Sequence, residues 1–326
     1  MSKPQVGFLG VGWIGRHRME AVLAAGEVEA AAVADPSPEC VEAARPLAPA
    51  ARVVAGLDEM LALGLDGVVI ATPSALHAEQ SVAVLRAGAA VFCQKPLGRT
   101  VQEVRAVVDA ARAADRLLAV DLSYRFTRGM ARIAELVREG ALGRLHAVDL
   151  TFHNAYGPDK PWFYDPAQSG GGCVMDLGVH LVDLALWTLG WPEVEAVGSH
   201  LLAGGAPLQS DQCEDYAVAT LTLAGGVVVR LACSWRLHAG REAVIGAEFY
   251  GTEGGAALRN IEGSFYDLTA ERFSGTSSEL LAGPPDEWGG RAAADWARRL
   301  AAGERVDRDG ERLVDVARVL DRIYGR

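Results

Sequence analysis

The chain has 326 residues, long for one compact core and in the range of two domains. Half of its residues are apolar and 22% are charged, the balance of an ordinary globular protein. Lys and Arg number 31 against 42 Asp and Glu, a formal net charge of −11. That sign argues against nucleic acid or an anionic membrane as a partner, because holding phosphate-rich surfaces rests on a basic field.

In the first third, short apolar runs alternate with helical spacers. Strands are predicted at QVGFLG (5–10), VEAAAVAD (28–35), ARVVAG (51–56), GVVIATP (67–73), AAVFCQKP (89–96) and LLAVDLS (117–123). Helices are predicted between them at 14–25, 37–47, 57–63, 75–87 and 101–114. Buried strands with helical spacers build a parallel sheet covered on both faces.

The pattern changes near residue 123. A helix at 130–140 carries the stripe Met130, Ile133, Leu136 and Val137. Long alternating segments follow at 145–154, 193–202, 215–223, 227–235 and 244–251, two of them flanking the hairpin signal Ala224-Gly225-Gly226. Helices at 291–302 and 311–324 close the chain. The fold class expected is α/β: a doubly wound parallel sheet over residues 1–122, then an α/β domain with an open, mostly antiparallel sheet over 123–326.

Five cysteines are scattered with no Cys-x-x-Cys or Cys/His cluster, so no metal site is expected and the thiols read as reduced and mostly buried. MSKPQVGFLG enters an apolar strand without a separate leader, and no apolar stretch reaches spanning length. A cytoplasmic protein with no membrane partner is expected.

FLGVGWIG (8–15) carries Gly-x-Gly-x-x-Gly at Gly10, Gly12 and Gly15. With 37 glycines in the chain, chance alone yields the pattern about once in two such sequences, so context decides. Here the loop follows a predicted strand and opens a predicted helix, whose amides at Trp13, Ile14 and Gly15 can hold a pyrophosphate. Asp35 ends the next strand, where a carboxylate can accept from an adenosine ribose; the plainer role is to cap the helix beginning near Ser37. A carboxylate repels a 2′-phosphate and Pro36-Ser37-Pro38 offers no Arg, so NAD is preferred over NADP.

GGGCVMDLGVHLVDLALW (170–187) is apolar almost all round, yet holds Asp176, His180 and Asp183 at positions i, i+4 and i+7. These stack on one face of an α-helix. Burying ions without partners costs several kcal/mol each, so the stripe calls for an enclosed polar site. That places the opening of this helix at the cleft between the domains. Asp183 either orients the imidazole or pairs with an Arg.

Four further segments come in order: ATPSALHAEQ (71–80), CQKPL (93–97), SYRF (123–126) and GGGCVMDLGVH (170–180). With the glycine loop they resemble the Gfo/Idh/MocA oxidoreductases, the family of glucose–fructose oxidoreductase and inositol dehydrogenase. The resemblance covers nearly the whole chain. It implies a Rossmann domain, a second domain for substrate binding and oligomerisation, and a homodimer or homotetramer formed through the open sheet face. It also implies that Lys95, Asp176 and His180 are catalytic, and that Thr72, Pro73 and His77 lie beside the nicotinamide half of the cofactor. One departure is Gln94, where the commonest form of the motif has Glu.

The reaction expected is reversible transfer of a hydride between NAD and a secondary hydroxyl of a sugar, cyclitol or related polyol. A neutral imidazole suits the base, so His180 takes that role, with Lys95 donating to the substrate oxygen and Asp176 fixing the lysine or the substrate hydroxyl; the first two roles are interchangeable on sequence alone. Arg125, His153, Asn154, Tyr156 and Trp162 are the candidates for substrate contact, Arg125 with an equal claim to a structural pair. The alternatives are an NAD-dependent enzyme without net redox turnover, of the glycoside-cleaving or epimerising type, and a non-catalytic nucleotide-binding regulator.

Overall fold

The first apolar run forms β1 (Gln5–Leu9), which lies inside a six-stranded parallel sheet in the computed structural model, describing residues 2–326. The chain continues through α1 (Trp13–Ala24), β2 (Glu29–Ala34), α2 (Pro38–Ala44), β3 (Arg52–Val53), α3 (Leu57–Leu61), β4 (Gly67–Ile70), α4 (Ser74–Arg86), β5 (Ala90–Cys93), α5 (Val101–Ala114) and β6 (Leu118–Val120). The strand order is β3-β2-β1-β4-β5-β6, the doubly wound Rossmann order, in which the direction of winding reverses beside β1. Val6, Phe8, Val68, Val69, Ile70, Val91, Phe92 and Cys93 are all within 1% of complete burial. Helices on both faces explain why these strands read as unbroken apolar runs. Ser37 and Thr100 cap α2 and α5, accepting from the amides of Cys40 and Glu103.

Two compact units are formed, and the first is not a single length of chain. It comprises the residues up to Asp121 together with Gly290–Val314; the second comprises Leu122–Gly289 and Asp315–Arg326. Residues 290–314, expected in the second domain, thus return to the first. They do so through α9 (Arg291–Ala301), whose Trp296 is fully buried against Phe92, with ring centroids 5.9 Å apart. Gly67 makes room for that indole: a Cβ there would stand 2.9 Å from it. An amphipathic helix announces that it packs, not against what, and so the sequence left this return hidden.

The second unit contains α6 (Arg128–Arg138), β7 (Leu145–Asn154), α7 (Pro166–Ser169), α8 (Val179–Thr188), β8 (Val194–Ala203), β9 (Ala206–Pro207), β10 (Tyr216–Leu223), β11 (Val228–Ser234), β12 (Ala243–Gly251), β13 (Gly255–Asn260), β14 (Leu268–Ser274) and β15 (Ser277–Ala282). A final helix, α10 (Arg308–Ile323), begins in the first unit and ends in the second. Its nine-stranded sheet has the order β15-β14-β13-β12-β7-β11-β10-β8-β9, mostly antiparallel, with β7 and β11 parallel. In β7, Val148, Leu150 and Phe152 are buried while their neighbours alternate outward. The helices lie on the buried side: Gly129 of α6 leaves no room for a Cβ against Leu258 and Ala270, and Gly178, just before α8, sits against Cys233 of β11. Strands β13 to β15 were not predicted. Ala256, Ala257 and Leu258 are buried in succession, so β13 lacks the period-two signal.

Candidate active site

In the first unit the loop between β1 and α1 depends on its glycines. Gly10 has φ +83°, and a Cβ there would stand 2.6 Å from the carbonyl oxygen of Ala71; a Cβ on Gly15 would overlap the carbonyl of Gly10. Around Gly12 there is open space. No side chain caps α1, so its first-turn amides, those of Trp13, Ile14 and Gly15, keep their capacity to hold an anion. Trp13 is 61% exposed, with its ring 5.0 Å from that of His17. Asp35 takes one backbone donor on each oxygen, Val11 N at 2.8 Å and Ser37 N at 2.9 Å. It therefore ties the glycine loop to the start of α2, and its remaining lone pairs suit ribose hydroxyls.

Thr72 donates to the side-chain oxygen of Gln80 at 2.6 Å, and Pro73 precedes the first residue of α4. His77 is fully enclosed. Its Nδ1 lies 2.7 Å from the carbonyl oxygen of Pro96 and its Nε2 2.7 Å from that of Thr72. The ring thus spans two loops at the carboxyl end of the sheet as a strut; its nitrogens do not point to a ligand. Burial holds its pKa below 6.5, against the two carbonyls, which favour the protonated ring. The unfolded chain therefore binds the proton first on acidification, so stability falls as pH drops through 6.5. The thermal midpoint should decline from neutral pH downward, and His77→Gln should flatten that slope; an unaltered slope would refute the assignment. Lys95 follows β5, half-buried, its peptide bond to Pro96 cis.

In the second unit, the helix expected from Val174 begins as a π turn, Val174–Gly178, and becomes α-helical at Val179. A π turn changes the rotation between residues, and such turns occur often at functional sites. The three polar side chains are held by different neighbours. Asp176 accepts from the indole Nε1 of Trp235 at 3.0 Å. His180, 7% exposed, stands edge-on to Tyr124 at 5.1 Å between centroids and 6.4 Å from Phe152. Asp183 takes both Nε (2.7 Å) and Nη2 of Arg125, the structural pair that had been one of its two possible roles.

Glu214, fully buried, anchors the glycine run before this helix. Its carboxylate accepts from Val174 N (2.8 Å), Gly172 N (2.9 Å) and the Tyr324 hydroxyl (2.8 Å), and its carbonyl from Cys173 N (3.0 Å). Gly172 is required by close approach: a Cβ there would lie 2.7 Å from the Glu214 nitrogen and nearer still to its carbonyl oxygen. Burial pushes the Glu214 pKa up, and the amides and hydroxyl oppose it.

Arg125 and His153, two of the candidates for substrate contact, are engaged by protein partners. Arg125 has its guanidinium engaged by Asp183 and lies 5.8 and 5.2 Å from the rings of Trp187 and Trp191. His153, one residue beyond Phe152, faces the opposite side of the sheet by strand alternation. There Nδ1 meets Ser234 Oγ at 2.7 Å and the ring lies parallel to Tyr216. Asn154 shares the Phe152 face, and its Oδ1 is buried with no hydrogen-bond partner. In the following loop Tyr156 is 58% exposed and Trp162 stacks on Phe163 at 3.8 Å.

Trp235, Tyr124 and Glu214 were not singled out by sequence. Of these, Trp235 holds Asp176 and is packed by Phe163 and Tyr164. Trp235→Phe keeps the packing and removes the donor, and should lower turnover about tenfold by loosening Asp176. A variant with unchanged kcat would exclude that role for the indole.

A Rossmann unit joined to an α/β unit whose helix α8 carries a buried imidazole defines a nucleotide-binding protein with a candidate acid–base group. Residues 5–122 match the oxidoreductase family model with the NAD-binding Rossmann fold, and residues 130–257 match the GFO/IDH/MocA C-terminal domain. The chain belongs to the GFO/IDH/MocA family. It is 28% identical over 211 residues to D-glucoside 3-dehydrogenase of Escherichia coli (strain K12), a match that spans 61% of this chain and 60% of that protein. A putative UDP-kanosamine synthase oxidoreductase subunit of Amycolatopsis mediterranei (strain S699) is 32% identical over 271 residues, 77% of this chain and 74% of the relative. Among solved structures, GenD2 from gentamicin A biosynthesis, in complex with NAD, superposes with a TM-score of 0.83 at 27% identity, covering 100% of this chain and 94% of that one.

Proposed function

We propose that the protein is an NAD-dependent dehydrogenase that oxidises a secondary hydroxyl of a sugar, cyclitol or related polyol. The observation that carries this reading is the His180 imidazole, enclosed by Tyr124 and Phe152 on a helix whose start is clamped by Glu214, in a chain with an NAD-binding Rossmann domain. The comparisons support the substrate class through the dehydrogenases of sugars and inositol among the relatives.

The glycine loop fits the cofactor's pyrophosphate, since the α1 amides are uncapped and Gly12 leaves the approach open. Asp35 would accept from the ribose, and its charge, with Pro36 and Ser37 beside it, favours NAD over NADP. When bound, NAD supplies the acceptor for the hydrogen and electron pair leaving the carbinol. His180 takes the hydroxyl proton, Lys95 donates to the oxygen as alkoxide character develops, and Asp176 fixes the lysine or the substrate hydroxyl. Asn154, with Tyr156 and Trp162, contacts the substrate: the buried Oδ1 suits a hydroxyl donor and the aromatic groups suit a sugar face.

The free thiols are consistent with a cytoplasmic setting, and among the described residues no helix is long and apolar enough to cross a membrane. The helix-free face of the nine-stranded sheet, with Val218 and Val228 exposed, would mediate a homodimer or homotetramer. NADH formation across a panel of cyclitols, aldoses and glycosides tests the whole reading. Accumulation with one substrate class supports it. Substrate consumption without NADH would favour chemistry without net redox, and binding of NAD with no turnover would favour a regulator.

A further inference from the structure

The carboxyl end of the parallel sheet holds a buried charge that the proposed chemistry does not use. Asp121, directly after β6, is 2% exposed. Its Oδ2 accepts from Arg18 Nε at 2.6 Å and from Gln94 Nε2 at 2.7 Å, and its backbone N donates to the carbonyl of Cys93 at 2.9 Å. Its Oδ1 is buried without a hydrogen-bond partner. Arg18 and Gln94 are themselves 8% and 6% exposed. One carboxylate thus joins the helix of the glycine loop, the end of β6, and the residue immediately before Lys95.

An ion so placed persists only with charged and hydrogen-bonding partners, and losing one partner is far costlier than replacing the set. Among the other titratable groups around this loop, the buried Cys93 thiol is pushed up to about 12 by burial, with the Asp121 charge adding to it. Arg99 is paired with Glu103 at 2.5 Å, and His77, packed from α4, is held toward its neutral form by burial. Without the Asp121 charge, the Arg18 guanidinium would stand uncompensated beside the loop that carries Lys95.

We propose that Asp121 is a positioning residue for Lys95, acting through Gln94 to fix the backbone from which the lysine projects. The proposal rests on the reading of Lys95 as donor to the substrate oxygen. Three variants of the full chain test it: Asp121→Asn, Gln94→Glu and the two together, which move the single carboxylate one strand over. The first readout is the rate of acylation of the Lys95 amine by acetic anhydride at fixed pH, followed by peptide mass. The second is kcat and KM for NAD with the substrate found by the panel.

Asp121→Asn should speed acylation at least about threefold, as a loop without its carboxylate anchor leaves the amine more accessible, and should lower kcat at least about tenfold with KM for NAD within about threefold. Gln94→Glu, which sets two carboxylates at hydrogen-bond distance and so breaks the same link by repulsion, should likewise speed acylation and lower kcat. The double variant, with one carboxylate again, should return to within about threefold of the parent in both readouts. Parent-like acylation and kcat in Asp121→Asn, or no recovery in the double variant, would overturn the proposal. If Asp121→Asn does not fold, the double variant decides: parent-like acylation supports the proposal and failure to fold rejects it. Should Lys95→Ala retain full turnover, the donor role of the lysine fails, while the acylation series still decides on Asp121.

Discussion

His180→Ala is expected to lower turnover by roughly 10²–10⁴-fold, the usual worth of a positioned acid–base group, while NAD binding persists. The two parts of that expectation come from different units: the glycine loop and Asp35 belong to the first, the imidazole to the second. The ring packs against Tyr124 and Phe152, so its removal also leaves a cavity with a cost in folding, which denaturant unfolding separates from the cost in rate. Steady-state kinetics on the panel substrate, with NAD affinity followed by fluorescence, checks both. Near-normal kcat would remove His180 from the mechanism.

The largest loss of stability is expected from Asp183→Ala. The Arg125–Asp183 pair has side-chain exposures of 13% and 2%, and truncating the acid leaves a guanidinium buried without its carboxylate. Breaking such a pair costs about 3–5 kcal/mol, whereas replacing both partners with apolar groups of similar volume is nearly neutral. Denaturant unfolding of Asp183→Ala and of Arg125→Met with Asp183→Leu should therefore rank the double variant as the more stable. A loss below about 1 kcal/mol in Asp183→Ala would mean that water reaches the pair and that the guanidinium is not confined.

The parallel sheet was legible because buried strands and helical spacers leave different periods, and the glycine loop because strand, loop, helix and Asp35 arrive together. The three polar residues of 170–187 were legible as anomalies in an apolar helix, but not their partners. Asp183 finds Arg125 across 58 positions, Asp176 finds Trp235 across 59, and neither separation leaves a local trace. Helical spacing also misread the stretch around Asp176, because nothing in VMDLG signals a π turn. His153 and Asn154 were grouped as neighbours in sequence, yet a strand turns consecutive side chains to opposite faces. Nothing local in the triple glycine tells that Gly172 is needed because the Glu214 backbone passes where a side chain would be.

The discontinuity of the first unit has a practical corollary for dissecting the chain. A fragment ending at residue 121 would expose the seat of Trp296 against Phe92 and Gly67, a greasy scar prone to aggregation. An autonomous nucleotide-binding piece would have to be spliced from two stretches, with a linker standing in for residues 122–289. Nonsense lesions late in the reading frame would for the same reason injure the amino-terminal half, although they lie far from it in the gene.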